Sequence, residues 1–185
     1  LFDNVIVTCD NLEAQKIVDE IDDPRLSFVP RNSRDTLRTA SIVPTLEKIA
    51  SEFDPAFKGI TVIRYIQTPF VSTSTLEEAV YTLAFSGADS AYGVEPIHSQ
   101  LLKRTPYGLQ PLNRSQEIYS DFDVIYRDVN SCVASKSKNF LNGSLTGPSI
   151  ASFEVSAAEC FFIAHDKDLR VAKLLAEDNE YAISA

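Results

Sequence analysis

The stretch that decides the fold runs from Ile60 to Pro96 and reads ITVIRYIQTPFVSTSTLEEAVYTLAFSGADSAYGVEP. Its β-branched start, Ile60 to Ile66, predicts a strand, and a second strand is predicted from Asp89 to Val94. Between them, the apolar residues from Leu76 to Ser86 recur at intervals of three and four, the spacing of one helical face. Thr75 is the predicted N-cap of that helix. A strand, a helix and a strand in this order predict a βαβ unit with parallel strands.

A regular alternation of strands and helices precedes this unit, and shorter elements follow it. The predicted elements before it are a strand at Val5–Cys9, a helix capped by Asp10 or Asn11, a strand at Leu26–Val29 and a helix from about Ser41 to Phe53. Those after it are extended pieces at 101–103 and 109–112, strands at Cys132–Ser135, Ile150–Val155 and Phe161–Ala164, and a helix from His165 to Asp178. The poorly periodic residues 113–130 are predicted to leave the main sheet. The pattern predicts one α/β domain over residues 1–185, with a mostly parallel sheet and helices on both faces.

Polar side chains fall where predicted strands end. They are Asp10, Arg31, Ser41, Gln67, Arg114 and Gln116. In open parallel sheets, ligands bind beyond the carboxyl ends of the strands, so we expect the polar segment 67–73 to contact substrate. An arginine can bind phosphate or carboxylate with two N–H groups, and a glutamine can bind a hydroxyl or an amide. Structural roles are the alternative: Arg31 could pair with Asp35 in a loop, and Gln67 could satisfy backbone groups.

The composition excludes several classes of protein. The net charge of −9 over 185 residues argues against nucleic acid as a partner, because phosphate backbones require clustered Lys and Arg. No run approaches the roughly 20 apolar residues that span a bilayer, so no membrane partner is expected. Three cysteines without a CxxC pair favour buried thiols in a reducing compartment.

Several catalytic motifs are also missing from the sequence. The six glycines never cluster, so there is no Gly-rich phosphate loop of the GxGxxG kind. His98 and His165 share no metal-ligand spacing with a cysteine, and no GxSxG elbow is present. Dehydrogenase, P-loop and serine hydrolase functions therefore have no support.

In the order of its segments, the sequence resembles the acylneuraminate cytidylyltransferases, which are also called CMP-sugar synthetases. The matching segments are Leu1–Asp10, Arg31 with Thr39–Ser41, Gln67–Phe70, Gly87–Ser90, Gly108–Arg114, Tyr126–Asp128 and Asp166–Ala172. This resemblance implies a three-layer, Rossmann-like nucleotidyltransferase fold. It also implies a reaction in which the hydroxyl of an acidic, sialic-acid-like sugar attacks the α-phosphate of CTP, assisted by Mg²⁺, to give CMP-sugar and pyrophosphate.

The resemblance further implies roles for individual residues. Arg31, Ser41 and Asp10 would bind the nucleotide, whereas Gln67, Arg114 and Gln116 would bind the sugar. Residues 113–130 would form the contact of a cytoplasmic homodimer. No catalytic residue and no metal ligand of this chain is assigned by the resemblance.

The sequence departs from the family pattern at several places. The family's phosphate-binding loop is expected before Leu1, and its closing Asp-x-Asp metal ligands align near Phe162 and Ala164. Two hypotheses follow: a CMP-sugar synthetase whose phosphate loop precedes Leu1, or a degenerate, non-catalytic domain that binds a nucleotide sugar or a partner. A related transferase for another sugar acid or an alcohol phosphate is a third.

Overall fold

The computed structural model describes residues 2–32, 34–35, 40–112 and 124–177. The strands are β1 (Val5–Cys9), β2 (Leu26–Pro30), β3 (Ile60–Ile63), β4 (Ser90–Pro96), β5 (Leu102–Thr105), β6 (Gly108–Pro111), β7 (Tyr126–Lys136) and β8 (Ile150–Glu154). The α-helices are α1 (Leu12–Asp19), α2 (Val43–Phe53), α3 (Thr73–Ser86) and α4 (Asp166–Glu177), and Ser137–Asn142 forms a 3₁₀ helix.

The strands form a mixed and divided sheet arrangement. Four of them share a sheet in the order β3-β7-β4-β8, while β1 pairs with β2 and β5 with β6. The β1–β2 and β4–β8 pairs are parallel, and β5–β6 is an antiparallel hairpin. The Ile97 N–H donates to the Ile125 carbonyl at 2.8 Å, which places the start of β7 beside the end of β4. β7 therefore runs antiparallel to β4.

The α/β class predicted from the sequence is confirmed, but the arrangement of the sheet is not the one expected. β7 separates β3 from β4, so the two strands of the predicted βαβ unit are not neighbours. Hydrophobic periodicity specifies which segments form strands, whereas the pairing of strands depends on contacts between segments far apart in sequence. The three-layer detail remains a prediction.

The chain groups into two compact units, each with its own packing. The first contains residues 1–61 and 135–149, and the second contains residues 62–134 and 150–185. In the first unit, α2 buries Val43, Leu46 and Ile49. In the second, α3 packs on the sheet through residues that are almost wholly inaccessible: Ala79, Leu83, Ala91, Cys132, Ala134 and Phe153. The prediction of one domain over residues 1–185 remains a prediction.

Helix α3 begins before its predicted N-cap. Ser72 is the actual N-cap, and its hydroxyl oxygen accepts from the Thr75 N–H at 3.2 Å. Thr75 therefore lies inside the first turn, where its side chain is buried. The helix ends at Gly87, whose φ of +74° suits a residue without a β-carbon.

Two further predicted boundaries are corrected. β7 begins at Tyr126, so residues 126–130 belong to the sheet and not to an excursion, while residues 113–123 lie outside the described part of the chain. Phe161–Ala164 is not a strand. This apolar segment instead contacts the polar crossing after β3, as described below.

Within the described ranges, none of the helices is long and apolar enough to cross a membrane.

Candidate functional site

Asp10 and Arg31 follow the carboxyl ends of two adjacent parallel strands. Cys9 of β1 is in register with Pro30 of β2, so the next residues along the two strands are Asp10 and Arg31. The Arg31 N–H donates to the Cys9 carbonyl at 2.9 Å, which continues the pairing beyond the strands. The structure therefore brings these two predicted nucleotide-binding residues together.

The guanidinium group of Arg31 is only partly satisfied within the described residues. Its Nη2 donates to the carbonyl oxygen of Asp35, so the loop contact considered from the sequence exists, although it uses the backbone and not the carboxylate. Its Nε is buried and has no hydrogen-bond partner in the described part of the chain, and the same is true of Thr8 Oγ1. Buried polar groups without partners carry a free-energy penalty that a ligand can remove. The Nε of Arg31 is thus a buried donor whose hydrogen-bonding capacity no described residue uses.

Ser41 has a local structural role at the start of α2. Its hydroxyl oxygen accepts from the Val43 N–H at 3.2 Å. Pro44 lies in the first turn, where a missing N–H leaves no helical bond unmade. Ser41 belongs to the same compact unit as Asp10 and Arg31, and its side chain is exposed.

Gln67 lies in the second compact unit, in the crossing between β3 and α3. Its side chain is exposed, while its carbonyl oxygen accepts from the Ile163 N–H at 2.8 Å. The next residues are held by Arg64, whose Nη2 donates to the carbonyls of Thr68 and Pro69, each at 3.1 Å. The carbonyl groups of Gln67 and of the two residues after it are therefore fixed by hydrogen bonds, while the Gln67 side chain is exposed.

The remaining predicted sugar-binding residues, Arg114 and Gln116, lie outside the described residues. The expectation that Arg31, Ser41, Gln67 and Arg114 line one polar hollow remains a prediction.

The segment aligned with the family's metal ligands does not fit a bound Mg²⁺. Phe162 offers an aromatic ring and Ala164 a methyl group, neither of which can coordinate a hard cation. The nearby Asp168 is committed to capping α4, since its Oδ2 accepts from the N–H groups of Ala164 and His165 at 3.0 and 2.8 Å. Among the described residues, no cluster of three acidic, histidine or cysteine side chains could hold a metal ion.

The described cysteines are free thiols. Burial raises the pKa of the Cys132 thiol to about 12, a shift that Arg64 opposes and Glu159 reinforces. Burial also raises the pKa of the Cys160 thiol. Both thiols are therefore protonated near neutral pH. The prediction of buried thiols is confirmed for Cys132 but not for Cys9 and Cys160, which are partly exposed.

Sequence reasoning missed Glu159, a nearly buried carboxylate with a relative exposure of 9%. It accepts hydrogen bonds from Ser72, Thr75 and Ser156. A signal was available, because Glu159 is the single charged residue in the otherwise small and apolar run Ala157–Ala164. A lone acid in such a run requires buried donors from elsewhere in the chain.

The fold is one that solved nucleotide-transferring enzymes share. One is 4-diphosphocytidyl-2C-methyl-D-erythritol synthase from Anaerococcus prevotii, with a TM-score of 0.67 and 11% sequence identity over 95% of this chain and 82% of that chain. Another is 2-C-methyl-D-erythritol 4-phosphate cytidylyltransferase from Thermus thermophilus, with a TM-score of 0.53 and 16% identity over 95% and 83% of the two chains. No protein-family model matches the sequence, and neither does any curated protein. At these identities the likeness establishes the fold.

Proposed function

We propose that this chain is a cytidylyltransferase that joins CMP, taken from CTP, to the hydroxyl of an acidic, sialic-acid-like sugar. The proposal is supported by a fold that the two solved enzymes share with 95% of the chain. The observation that carries it is the placement of Asp10 and Arg31 side by side at the carboxyl ends of β1 and β2. Strand ends of this kind are where α/β folds bind their ligands.

The nucleotide is bound by Arg31, Asp10 and Ser41. The guanidinium of Arg31 can donate hydrogen bonds to phosphate oxygens, and it lies where β2 ends beside β1. The carboxylate of Asp10 accepts hydrogen bonds and so complements the O–H or N–H donors of a nucleoside. The Ser41 hydroxyl can donate a hydrogen bond while its oxygen accepts from Val43.

The acceptor sugar is bound by Gln67, together with Arg114 and Gln116. The exposed amide of Gln67 offers one acceptor and two donors to sugar hydroxyls, and an arginine matches the carboxylate of an acidic sugar. The sugar hydroxyl attacks the α-phosphorus of CTP and loses its proton to water. The bond from the α-phosphorus to the bridging oxygen breaks, and pyrophosphate leaves.

Magnesium, which the family resemblance implies, enters no step of this proposal. Phe162 and Ala164 occupy the positions at which the resemblance expects its carboxylate ligands, and their side chains offer no oxygen. The residues of this chain contribute by binding and orienting the two substrates, which can supply a large share of a rate enhancement.

The test is an acceptor panel with purified protein and CTP. We expect pyrophosphate release with a sialic-acid-like sugar and little with a polyol phosphate such as 2-C-methyl-D-erythritol 4-phosphate, the substrate in the name of one structural neighbour. Replacing CTP by UTP or ATP provides the control for the base. Pyrophosphate release that occurs only with the polyol phosphate would reassign the acceptor. If none of the acceptors leads to pyrophosphate release, the proposal is contradicted.

The second candidate is a non-catalytic domain that binds a nucleotide sugar. Phe162 and Ala164 favour it, since they replace the family's metal-binding carboxylates. Calorimetric binding of CMP-sugar by a protein that forms no product from CTP would establish this candidate. Product formation by the purified protein would remove it.

We also propose that the protein is a cytoplasmic homodimer. The free thiols fit a reducing compartment.

The β5–β6 hairpin exposes Leu102 and Leu109 by 53% and 62% immediately before the predicted contact segment 113–130. An isolated two-stranded hairpin is marginally stable in water, so apolar contacts with a second copy would support it. Light scattering should give twice the chain mass, and Leu109→Lys should shift it toward the monomer; a monomeric wild type contradicts the proposal.

A further inference from the structure

Glu159 joins two segments of the second compact unit through both of its carboxylate oxygens. Its Oε1 accepts from the Ser72 N–H at 3.0 Å, from the Ser72 hydroxyl at 2.8 Å and from the Thr75 hydroxyl. Its Oε2 accepts from the N–H and hydroxyl of Ser156 at 3.2 and 2.8 Å. The first group of donors belongs to the start of α3, and the second lies just after β8. One side chain therefore connects the two.

The carboxylate is ionised in spite of its burial. Burial alone would raise the pKa of Glu159, but the hydrogen bonds from Thr75, Ser72 and Ser156 outweigh it and hold the pKa at about 2. A negative charge at the first turn of α3 is also favoured by the helix dipole. The N-terminal end of α3 is thus already occupied by an anion of this chain.

The residues that follow Glu159 lie along the crossing that contains Gln67. The ring of Phe161 meets the ring of Phe70 edge-on, with centroids 5.9 Å apart. The Ile163 N–H donates to the Gln67 carbonyl at 2.8 Å. The two segments, 67–72 and 159–163, are therefore held side by side at both ends, by Glu159 at Ser72 and by Ile163 at Gln67.

We propose that Glu159 is a positioning residue for the acceptor sugar, because it fixes the segment 67–72 and thereby the backbone from which the Gln67 amide projects. This inference rests on the proposed function and names a residue that acts on the acceptor through Gln67. Glu159 does not touch substrate. Its loss should weaken the use of the sugar while leaving the binding of CTP as it is.

The experiment combines amide hydrogen exchange with steady-state kinetics on the full chain. In Glu159→Ala, we expect the amides of Ser72 and Ile163 to exchange about tenfold faster or more, as loss of a charge-assisted hydrogen bond allows local opening. The KM for the sugar should rise about tenfold, and the KM for CTP should stay within about twofold. Glu159→Gln keeps the size of the side chain and one acceptor oxygen, so its exchange rates and its KM for the sugar should lie between those of wild type and Glu159→Ala. It replaces the alanine variant in the experiment if that variant does not fold.

The matched control is Asp54→Asn in the first compact unit. Asp54 is also a loop-fixing carboxylate, and it accepts from the N–H groups of Lys58 and Gly59 at 3.2 and 2.8 Å. Its substitution should lower stability without changing exchange in 67–72 or the KM for the sugar. If both Glu159 variants behave like this control, the positioning role is overturned. A wild-type protein that is inactive with every acceptor marks failure of the proposed function instead, whereas an active wild type with unchanged variant KM values marks failure of the positioning role.

Discussion

A β-carbon at position 93 would lie 2.6 Å from the hydroxyl oxygen of Ser131. Gly93 is in β4 and Ser131 is in β7, and real β-carbons do not approach an atom this closely. The same β-carbon would lie 3.0 Å from Cγ1 of Val155. The absence of a side chain at Gly93 is thus part of how the antiparallel strand β7 fits beside β4.

We expect Gly93→Ala to destabilise the protein by about 1–3 kcal/mol, the usual range for an overpacked core. Ser131 is fully buried, and its hydroxyl has no hydrogen-bond partner in the described ranges. Ser131→Ala alone should therefore be neutral or slightly stabilising. The double variant should lie closer to wild type than Gly93→Ala does. Urea unfolding of the four proteins measures this coupling, and strictly additive changes would show that the two side chains do not compete for space.

The low pKa of Glu159 makes a contribution to stability that depends on pH. The folded pKa of about 2 lies below the ordinary value of 4.5, so the contribution is present above about pH 4.5 and is lost as the pH falls toward about 2. Its size is at most about 3 kcal/mol. Unfolding free energies of wild type and Glu159→Gln should differ most at pH 7, differ by roughly half as much at about pH 3, and approach each other only near pH 2. A difference that stays constant over this range would contradict the assigned ionisation.

Substitution of Arg31 should weaken nucleotide binding. We expect Arg31→Ala to raise the dissociation constant for CTP by about ten- to a hundredfold, the loss of hydrogen bonds to a charged group. Arg31→Lys should recover little of it, because an ammonium group lacks the planar fork. Titration calorimetry measures both values.

Arg25→Ala is the matched control, because Arg25 pairs with Asp23 at 2.7 Å immediately before the other end of β2. That pair is exposed, so its loss should leave CTP binding unchanged. Equal losses of affinity in Arg25→Ala and Arg31→Ala would point to general charge attraction instead of a specific contact.

The local elements were predictable wherever adjacent residues determine them. Val5–Cys9 forms a strand with the predicted bounds, because β-branched residues favour extended backbone, although none of its residues is fully buried. The extended pieces predicted at 101–103 and 109–112 correspond to β5 (Leu102–Thr105) and β6 (Gly108–Pro111), which the turn residues Pro106 and Tyr107 separate. Helix α3 was placed correctly except at its start, where Ser72 and not Thr75 is the cap.

Several of the errors concern contacts between distant segments. The first turn of α3 is stabilised by Glu159, which is 87 residues away from Ser72 in sequence. The run Phe161–Ala164 has strand-like composition, but it pairs with a loop through Ile163 and Gln67 and therefore forms no strand. The insertion of β7 between β3 and β4 likewise depends on long-range pairing that no local pattern encodes. In the candidate site, the adjacency of Asp10 and Arg31 was predictable because two parallel strands end together.

The most direct test of cytidylyl transfer uses CTP labelled at the α-phosphate. We expect the label to move into a CMP-sugar when purified full-length protein is incubated with a sialic-acid-like acceptor, with one pyrophosphate released per product, and to move much more slowly in Arg31→Ala. Label that remains entirely in CTP, under conditions in which calorimetry shows CTP to be bound, would contradict cytidylyl transfer by this protein.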